Sequence, residues 1–265
     1  MVMSLLERIL ASKRAEIARL RTRPLPEPPP LRSISLRREA GKPLRLMTEI
    51  KRRSPSAGTL STRLTVGERA AAYERGGARM VSVLCDREFF DGDYAHLGEA
   101  ARSCSLPLLC KDFVIDEWQL DAARAWGASA TLIIVRCVSV EQLGALVAGC
   151  RQRDLEPFVE VRNEDESEAA LAAGATLVGV NARDLDTLEM DPERAARVLA
   201  GLPSSVTAVH LSGLRTPDDV VEIANTSAHA ALVGEALMRQ DDPEPLLRAM
   251  VAAAGTHLAR TGSKP

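Results

Sequence analysis

The chain has 265 residues, of which 46% are hydrophobic and 26% are charged, and its formal net charge is −2. This balance is typical of a globular protein with a large core, and it gives no support for nucleic-acid binding. Because no run approaches the roughly 18 apolar residues of a membrane span and no signal-peptide pattern is present, we expect a cytoplasmic protein with no membrane contact.

The five cysteines are odd in number and form no CxxC pair. Secreted disulfide frameworks use an even number of cysteines at regular spacings, and zinc sites use paired ones. The pattern therefore predicts reduced, buried thiols and no metal site.

The first predicted element is an amphipathic helix. Its apolar residues recur at helical spacing, at Leu5, Leu6, Ile9, Ile17 and Leu20. Ser4 and Glu7 form a capping-box signature at its start. The segment PLPEPPP at 24–30 can be neither helix nor central strand, so we predict an extended surface linker, followed by a short helix or turn at 31–38. The linker raises the hypothesis that a mobile first helix shields the site of the following domain.

From residue 45 onward, apolar strand-like runs alternate with Ala-rich, charged helical stretches. The runs lie at 45–50, 80–85, 107–110, 130–135, 156–161, 176–181, 206–211 and 230–234. Gly77, Gly127 and Gly174 are predicted helix stops. Alternation of this kind indicates parallel strands joined by right-handed crossovers. Eight strands with eight helices favour a closed barrel over an open doubly wound sheet, and the lack of a GxGxxG turn in the first unit argues against dinucleotide binding. We predict an α/β protein, with residues 1–44 as a helical extension and residues 45–265 as one (β/α)8 TIM barrel.

Lysine is scarce, with only five lysines among the 34 basic residues. Lys13, Lys42 and Lys264 lie in polar or terminal stretches, and we predict that they are surface residues. Lys51 and Lys111 each follow a short apolar run. Unlike arginine, a lysine in a dry pocket can lower its pKa and exchange a proton. These two lysines therefore predict proton chemistry, or binding of a carbonyl or phosphate group.

Functional residues of such barrels collect at the carboxyl ends of the strands. There the sequence places Glu49, Lys51, Asp86, Lys111, Asp112, Arg136, Glu160, Asn181, Arg183, Ser212, Gly213, Gly234 and Glu235. Lys111 with Glu160 is the best candidate acid–base pair. Lys51 could pair with Glu49, bind phosphate or act as a second acid. Structural ion pairs remain the alternative for each lysine, and Arg136 and Asp112 fit a structural role equally well.

Two glycine-bearing turns, LSGLRTPDD at 211–219 and VGEALM at 233–238, follow the last two predicted strands. The loops after strands seven and eight are the usual phosphate site of barrel enzymes, so these turns predict one. Among the histidines, we predict surface positions for His96 and His229. His210, within the seventh strand, is expected to be a core histidine with satisfied hydrogen bonds.

The segments that carry these residues resemble the indole-3-glycerol phosphate synthase family over nearly the whole chain. The motifs are EIKRRSPSAG at 49–58, LPLLCKDFVIDEW at 106–118, VGVNARDL at 178–185 and ALVGEALMR at 231–239, in the family's order. The resemblance implies a carbon–carbon lyase of tryptophan biosynthesis. Such an enzyme closes the pyrrole ring of 1-(2-carboxyphenylamino)-1-deoxyribulose 5-phosphate, a phosphosugar–anthranilate compound, with loss of carbon dioxide and water. It implies no cofactor; we expect a monomer, with another tryptophan-pathway enzyme as candidate partner.

The resemblance also implies a catalytic set. Lys111 would be the general acid that protonates the substrate's carbonyl oxygen, and Glu160 the later general base. Lys51 would hold the substrate and protonate the departing hydroxyl, with Glu49 orienting it. Asn181 would position the anthranilate-derived part.

The remaining predicted residues bind substrate. They are Arg183, Ser54, Phe90, Phe113, Ser212, Gly213, Gly234 and Glu235. By the same resemblance, Arg183 would bind the anthranilate part and the two phenylalanines would flank its ring. The serines, the glycines and the backbone amide of Glu235 would surround the phosphate.

One residue departs from the family pattern. The family usually has Glu-Ser-Gly after strand seven, whereas this chain has Leu211-Ser212-Gly213. Because leucine cannot hydrogen-bond a lysine or a sugar hydroxyl, rate or substrate could change, as in a paralogue with an altered substrate. Two other classes stay open: another phosphosugar barrel, such as a Schiff-base aldolase using Lys111, and a phosphate-binding barrel without catalysis.

Overall fold

The computed structural model describes residues 3–55 and 58–255. Its first element is helix α1 (Leu5–Leu20), whose N-cap Ser4 and Glu7 form the expected capping box. The Ser4 amide donates to the Glu7 carboxylate at 2.8 Å, and the Glu7 amide donates to the Ser4 hydroxyl at 3.2 Å. These bonds satisfy amides that the first helical turn leaves free. The predicted helix is confirmed.

The linker at 24–30 contains no helix or strand and lies on the surface, as predicted. The prediction of a helix or turn at 31–38 is wrong, because this segment continues without regular structure. Its arginines bind carbonyl groups of the following domain instead: Arg32 donates to Leu106 at 2.9 Å, and Arg38 donates to Ala224 at 3.1 Å. These contacts hold the segment against the barrel domain without regular secondary structure.

The strands alternate with helices along the chain. In order they are β1 (Arg45–Ile50), β2 (Arg53–Ser54), β3 (Gly58–Thr59), β4 (Met80–Leu84), β5 (Leu108–Lys111), β6 (Ala130–Ile134), β7 (Glu156–Val161), β8 (Leu177–Val180), β9 (Thr207–His210) and β10 (Ala230–Val233). Within the described residues, all but β2 and β3 form one closed parallel barrel, in which β1 pairs with both β4 and β10. The predicted (β/α)8 barrel is confirmed; the small β2–β3 hairpin was not predicted.

Helices cover the outside of the barrel. After α1 they are α2 (Val66–Gly76), α3 (Arg87–Phe90), α4 (Tyr94–Ser103), α5 (Glu117–Ala125), α6 (Val140–Gln152), α7 (Glu164–Ala172), α8 (Pro192–Gly201), α9 (Pro217–Ala224), α10 (Glu235–Met238) and α11 (Glu244–Ala253). Gly77, Gly127 and Gly174 have φ values of 96°, 97° and 84°, in the left-handed region that ends a helix. The predicted stops are therefore confirmed. None of the described helices is long and apolar enough to cross a membrane.

Side chains of each strand alternate between the barrel interior and the layer beneath the helices. In β5, Leu109 belongs to the interior cluster, whereas Leu108 and Cys110 pack against the outer helices. All five cysteines are buried, as predicted. Leu6 and Ile9 of α1 belong to the interior cluster, so α1 covers one mouth of the barrel.

The division of the chain at residues 44 and 45 remains a prediction. β1 begins at Arg45, but α1 shares the core of the barrel. Lys264, and Ser56 of the motif at 49–58, lie outside the described residues.

Candidate active site

A cavity of about 840 Å³ opens at the carboxyl ends of the barrel strands. The residues predicted to be catalytic or to bind substrate all line it: Glu49, Lys51, Ser54, Phe90, Lys111, Phe113, Glu160, Asn181, Arg183, Ser212, Gly213, Gly234 and Glu235. The barrel brings them together because the ends of parallel strands meet at the same rim.

The two lysines form ion pairs at this rim. The Lys51 ammonium lies 2.8 Å from Oε1 of Glu49, and the Lys111 ammonium lies 3.6 Å from Oε2 of Glu160. Both carboxylates are buried, whereas both lysines remain partly exposed to the cavity. Each lysine is thus held by a buried carboxylate while its ammonium can still meet a ligand.

Glu49 is ionised in this setting. Burial by itself would raise its pKa, but the nearby charges of Lys51 and Lys111 and the hydrogen bond from Lys51 lower it on balance. Gly234 packs directly against this carboxylate, since a Cβ at position 234 would lie 2.8 Å from Oε1 of Glu49. Glycine at position 234 therefore leaves room for the Glu49–Lys51 pair.

The two carboxylate oxygens of Glu160 differ in their hydrogen bonding. The Asn181 side-chain amide donates to Oε1 at 2.9 Å. The buried Oε2 has no hydrogen-bond partner among the described residues and faces Lys111. A carboxylate held at one oxygen and open at the other can accept a proton from a ligand in the cavity.

Asn181 also organises the loop after β8. Its side-chain oxygen accepts the Arg183 amide at 3.0 Å, and the Arg183 guanidinium donates to the Leu188 carbonyl at 3.2 Å. Arg136 pairs with Asp186 of this loop at 2.7 Å, which favours its structural interpretation. The loop is therefore ordered by its own polar contacts.

The predicted phosphate end combines small residues with backbone turns. Gly213 has a φ of 100°, and the Ser212 hydroxyl accepts the Ala182 amide at 3.1 Å. The Glu235 carboxylate pairs with Arg239 at 2.8 Å, so its charge is partly neutralised. Arg215 and Arg239 also line the cavity. Neither arginine was predicted as a site residue, because arginine is too common in this chain to signal a site.

An aromatic pair forms another wall. The rings of Phe90 and Phe113 have centroids 6.0 Å apart and are tilted by 38°. Leu5 and Ile9 of α1 line the cavity as well. Their helical spacing was visible in the sequence, but no pattern indicated which surface that apolar stripe would cover.

Leu211 lies on the floor of the cavity and is buried. It packs over Gly179, where a Cβ would lie 2.6 Å from Cδ1 of Leu211 and 2.4 Å from Cε1 of Phe158. Gly179 pairs with Glu160 in the β7–β8 register. The leucine thus fits an apolar floor beside Glu160, and glycine at position 179 makes the room for it.

The prediction that Lys13 is a surface residue is wrong. Its side chain is only 1% exposed, and its ammonium lies 3.0 Å from Asp86 and 2.7 Å from Asp112. The polar neighbours of Lys13 in the sequence suggested a solvated position. The carboxylates that pair with Lys13 lie on loops distant in the sequence, so the composition around Lys13 does not indicate them.

The histidine predictions also need correction. His210 is buried, but its Nδ1 has no hydrogen-bond partner among the described residues, so it is not fully satisfied. Burial lowers its pKa. His229 is half-buried rather than a surface residue, and its Nδ1 accepts the Ala208 amide at 3.1 Å. His96 is half-buried beside Arg52. His96 lies in α4 and His229 in the loop before β10, and neither context indicates these contacts in the sequence.

Comparisons with known proteins agree on one family. The family model of indole-3-glycerol phosphate synthase matches residues 6–250. The chain is 41% identical over 230 residues to proteins named indole-3-glycerol phosphate synthase from Mycobacterium avium (strain 104) and Mycobacterium leprae (strain Br4923). Each alignment covers 87% of this chain and 84% of the relative.

Solved structures share the fold at low sequence identity. The 3-hexulose-6-phosphate synthase of Salmonella typhimurium has a TM-score of 0.65 at 12% identity, covering 81% of this chain and 100% of that one. Thiamine phosphate pyrophosphorylase of Pyrococcus furiosus has a TM-score of 0.60 at 16% identity, covering 80% and 95%. At these identities the likeness concerns the barrel alone.

Proposed function

We propose an activity from one established fact: the chain belongs to the indole-3-glycerol phosphate synthase family. The proposed reaction closes the pyrrole ring of 1-(2-carboxyphenylamino)-1-deoxyribulose 5-phosphate. A carbon–carbon bond forms between the carboxyl-bearing ring carbon and the ketone carbon, and carbon dioxide and water then leave. The product is indole-3-glycerol phosphate.

The observation that carries the proposal is the group formed by Lys111, Glu160 and Asn181. The Lys111 ammonium and the open oxygen of Glu160 face each other at 3.6 Å, and Asn181 holds the other oxygen at 2.9 Å. Ring closure needs a proton on the ketone oxygen as the new bond forms, and Lys111 can donate it. Restoring the aromatic indole needs a base afterwards, and Glu160 can accept that proton.

Lys51 is proposed to act on the hydroxyl that departs as water. Its ammonium is held 2.8 Å from the ionised Glu49. A lysine fixed in this way can bind the substrate's oxygen atoms and protonate the leaving hydroxyl. Glu49 is then an orienting residue, which keeps the ammonium in the cavity.

Binding of the substrate is divided along the cavity. The aromatic carboxylate would lie near Arg183, and the aromatic ring would pack against the wall formed by Phe90 and Phe113. The phosphate would lie at Ser54, Ser212, Gly213, Gly234 and the backbone amide of Glu235.

The test is turnover by the purified protein. Indole fluorescence should appear when 1-(2-carboxyphenylamino)-1-deoxyribulose 5-phosphate is added, with one carbon dioxide released for each indole formed. A folded protein that binds the compound without forming indole would contradict the proposal. That outcome would revive the altered-substrate interpretation of Leu211.

Family membership does not favour the alternatives of a Schiff-base aldolase or a binding protein. Borohydride trapping still tests the aldolase directly. We expect no covalent adduct between Lys111 and the substrate, and a reduced adduct would support the aldolase.

We further propose a cytoplasmic monomer of tryptophan biosynthesis. The five buried thiols, all of them free, support a reducing compartment. Sedimentation of the purified protein tests the monomer, alone and mixed with other tryptophan-pathway enzymes as candidate partners.

A further inference from the structure

Lys13 of α1 is the centre of a buried ionic cluster outside the proposed catalytic set. Its ammonium lies 2.5 Å from Glu16, 3.0 Å from Asp86 and 2.7 Å from Asp112. The Lys13 ammonium therefore contacts three carboxylates, and two of these belong to loops that are distant in the sequence. Buried carboxylates are costly unless they are paired and hydrogen-bonded, so these loops depend on Lys13.

Asp86 connects Lys13 to the loop after β4. One oxygen binds the lysine, and the other accepts the Phe89 amide at 2.8 Å as the N-cap of α3. Helix α3 ends at Phe90, which lines the cavity. The position of the Phe90 ring therefore depends on a carboxylate that Lys13 holds.

Asp112 connects Lys13 to the loop after β5. Its Oδ1 binds the lysine and accepts the Phe113 amide at 2.9 Å. Its Oδ2 accepts the Tyr94 hydroxyl at 3.0 Å and the Gln119 side-chain amide at 3.2 Å. Asp112 directly follows Lys111 and precedes Phe113, so it fixes the backbone between a proposed acid and a proposed ring contact.

The charges of the cluster are consistent with a permanent cation. Burial alone would lower the pKa of Lys13, but Asp112, Asp86 and Glu16 raise it on balance. Lys13 therefore stays protonated and has no role as a proton donor. Its effect must act through the two aspartates.

We propose that Lys13 is a positioning residue for the reaction, an inference that rests on the proposed function. By tying Asp86 and Asp112 to α1, it holds the loops after β4 and β5 in register with each other. Phe90, Phe113 and Lys111 are thereby aligned for one substrate. The N-terminal helix is then part of the active site through a side chain that never touches the substrate.

Kinetics of Lys13→Met test the proposal, with Lys42→Met as matched control because Lys42 is exposed. Misplacement of reacting groups by about 1 Å can cost on the order of 100-fold. We expect kcat/KM of Lys13→Met to fall between about 10-fold and 100-fold, with both a higher KM and a lower kcat. Lys42→Met should match wild type.

A merely structural role predicts a different result. In that case Lys13→Met would lose thermal stability but keep wild-type kcat and KM at temperatures where it is folded, and the proposal would be overturned. Should Lys13→Met fail to fold, Asp86→Asn is the milder variant. It retains an acceptor for the Phe89 amide but loses the charge, and we expect the same kinetic changes at smaller size; unchanged kinetics would overturn the proposal.

Hydrogen exchange separates failure of this inference from failure of the proposed function. If the wild-type protein forms no indole, the proposed activity is wrong. Exchange at the Phe89 and Phe113 amides still reports on the loops, because it needs no substrate. Faster exchange at both amides in Lys13→Met, or in Asp86→Asn if Lys13→Met does not fold, supports the positioning role of Lys13. Exchange as slow as in wild type overturns it.

Discussion

The carboxylates at the barrel mouth differ in how many of their oxygens are already bonded. Both oxygens of Asp112 are occupied by Lys13, Phe113, Tyr94 and Gln119. Glu160 keeps one oxygen without a hydrogen-bond partner among the described residues. A saturated carboxylate can fix geometry, whereas an open one can accept a proton. This difference favours a structural role for Asp112 and supports the proposed role of Glu160 as a base.

The lowered pKa of Asp184 predicts how the free energy of unfolding depends on pH. Burial acts to raise its pKa, but the amides of Thr187 and Asp186, a hydrogen bond from Arg162 and the charge of Arg136 lower it from 3.8 to about 2. Because the folded pKa lies below the unfolded value, its stabilisation is present above about pH 4. It is lost as pH falls towards about 2. We expect the free energy of unfolding of wild type to fall more steeply over this range than that of Asp184→Asn.

Urea denaturation at stepped pH measures this difference. The wild-type and Asp184→Asn curves should converge as pH falls, since protonated Asp184 loses its advantage over asparagine. Asp218→Asn, at an exposed position, is the control. Parallel curves for wild type and Asp184→Asn across the range would contradict the assignment.

Helix α1 is the element that couples the extension to the site. Its amide at Leu6 donates to Asp186 at 3.2 Å, in the loop after β8, and Lys13 holds the loops after β4 and β5. Leu5 and Ile9 complete the cavity wall. This placement supports the hypothesis that the first helix shields the barrel mouth; its mobility remains a prediction.

Leu5→Ala tests the shielding by α1. We expect KM to rise about fivefold with little change in kcat, because partial loss of an apolar contact costs about 1 kcal/mol. Leu10→Ala is the matched control: Leu10 is also a half-buried leucine of α1, packed against the interior cluster. Steady-state kinetics of the two variants decide the matter. If Leu5→Ala and Leu10→Ala have the same KM, Leu5 does not contribute to substrate binding, and shielding of the cavity by α1 is contradicted.

The sequence predicts helix α1 itself but not the surface against which it packs. The capping box and the apolar spacing of α1 are local patterns, and both predict the observed helix. What the helix packs against depends on residues more than 70 positions away, such as Asp86 and Asp112 opposite Lys13. A lysine among polar neighbours looks the same in sequence whether it faces water or two distant carboxylates.

At the scale of the whole molecule, the regular barrel made the site predictable. Once the order of the strands is predicted, their carboxyl ends must lie at the same rim of the barrel. Lys111 and Glu160 can therefore be paired from the sequence alone. Arg215 and Arg239 line the same cavity but carried no distinguishing signal. The β2–β3 hairpin has strands of only two residues, too short for a periodic pattern.

The closed barrel also bears on the departure at Leu211. Leu211 is supported by glycine at position 179 and by Phe158, so it belongs to a packed floor rather than to a damaged site. The ion pairs of Lys51 and Lys111 remain in place above it. The molecule as a whole therefore supports an active catalyst.

In the proposed mechanism, Lys111 donates the proton that drives ring closure. The most direct measurement is kcat for indole formation by Lys111→Met, with Lys42→Met as control. A lost general acid typically lowers the rate on the order of 10²- to 10⁴-fold, and we predict a loss in this range with the fold and substrate binding retained. A kcat of Lys111→Met close to that of wild type would show that Lys111 is not the general acid.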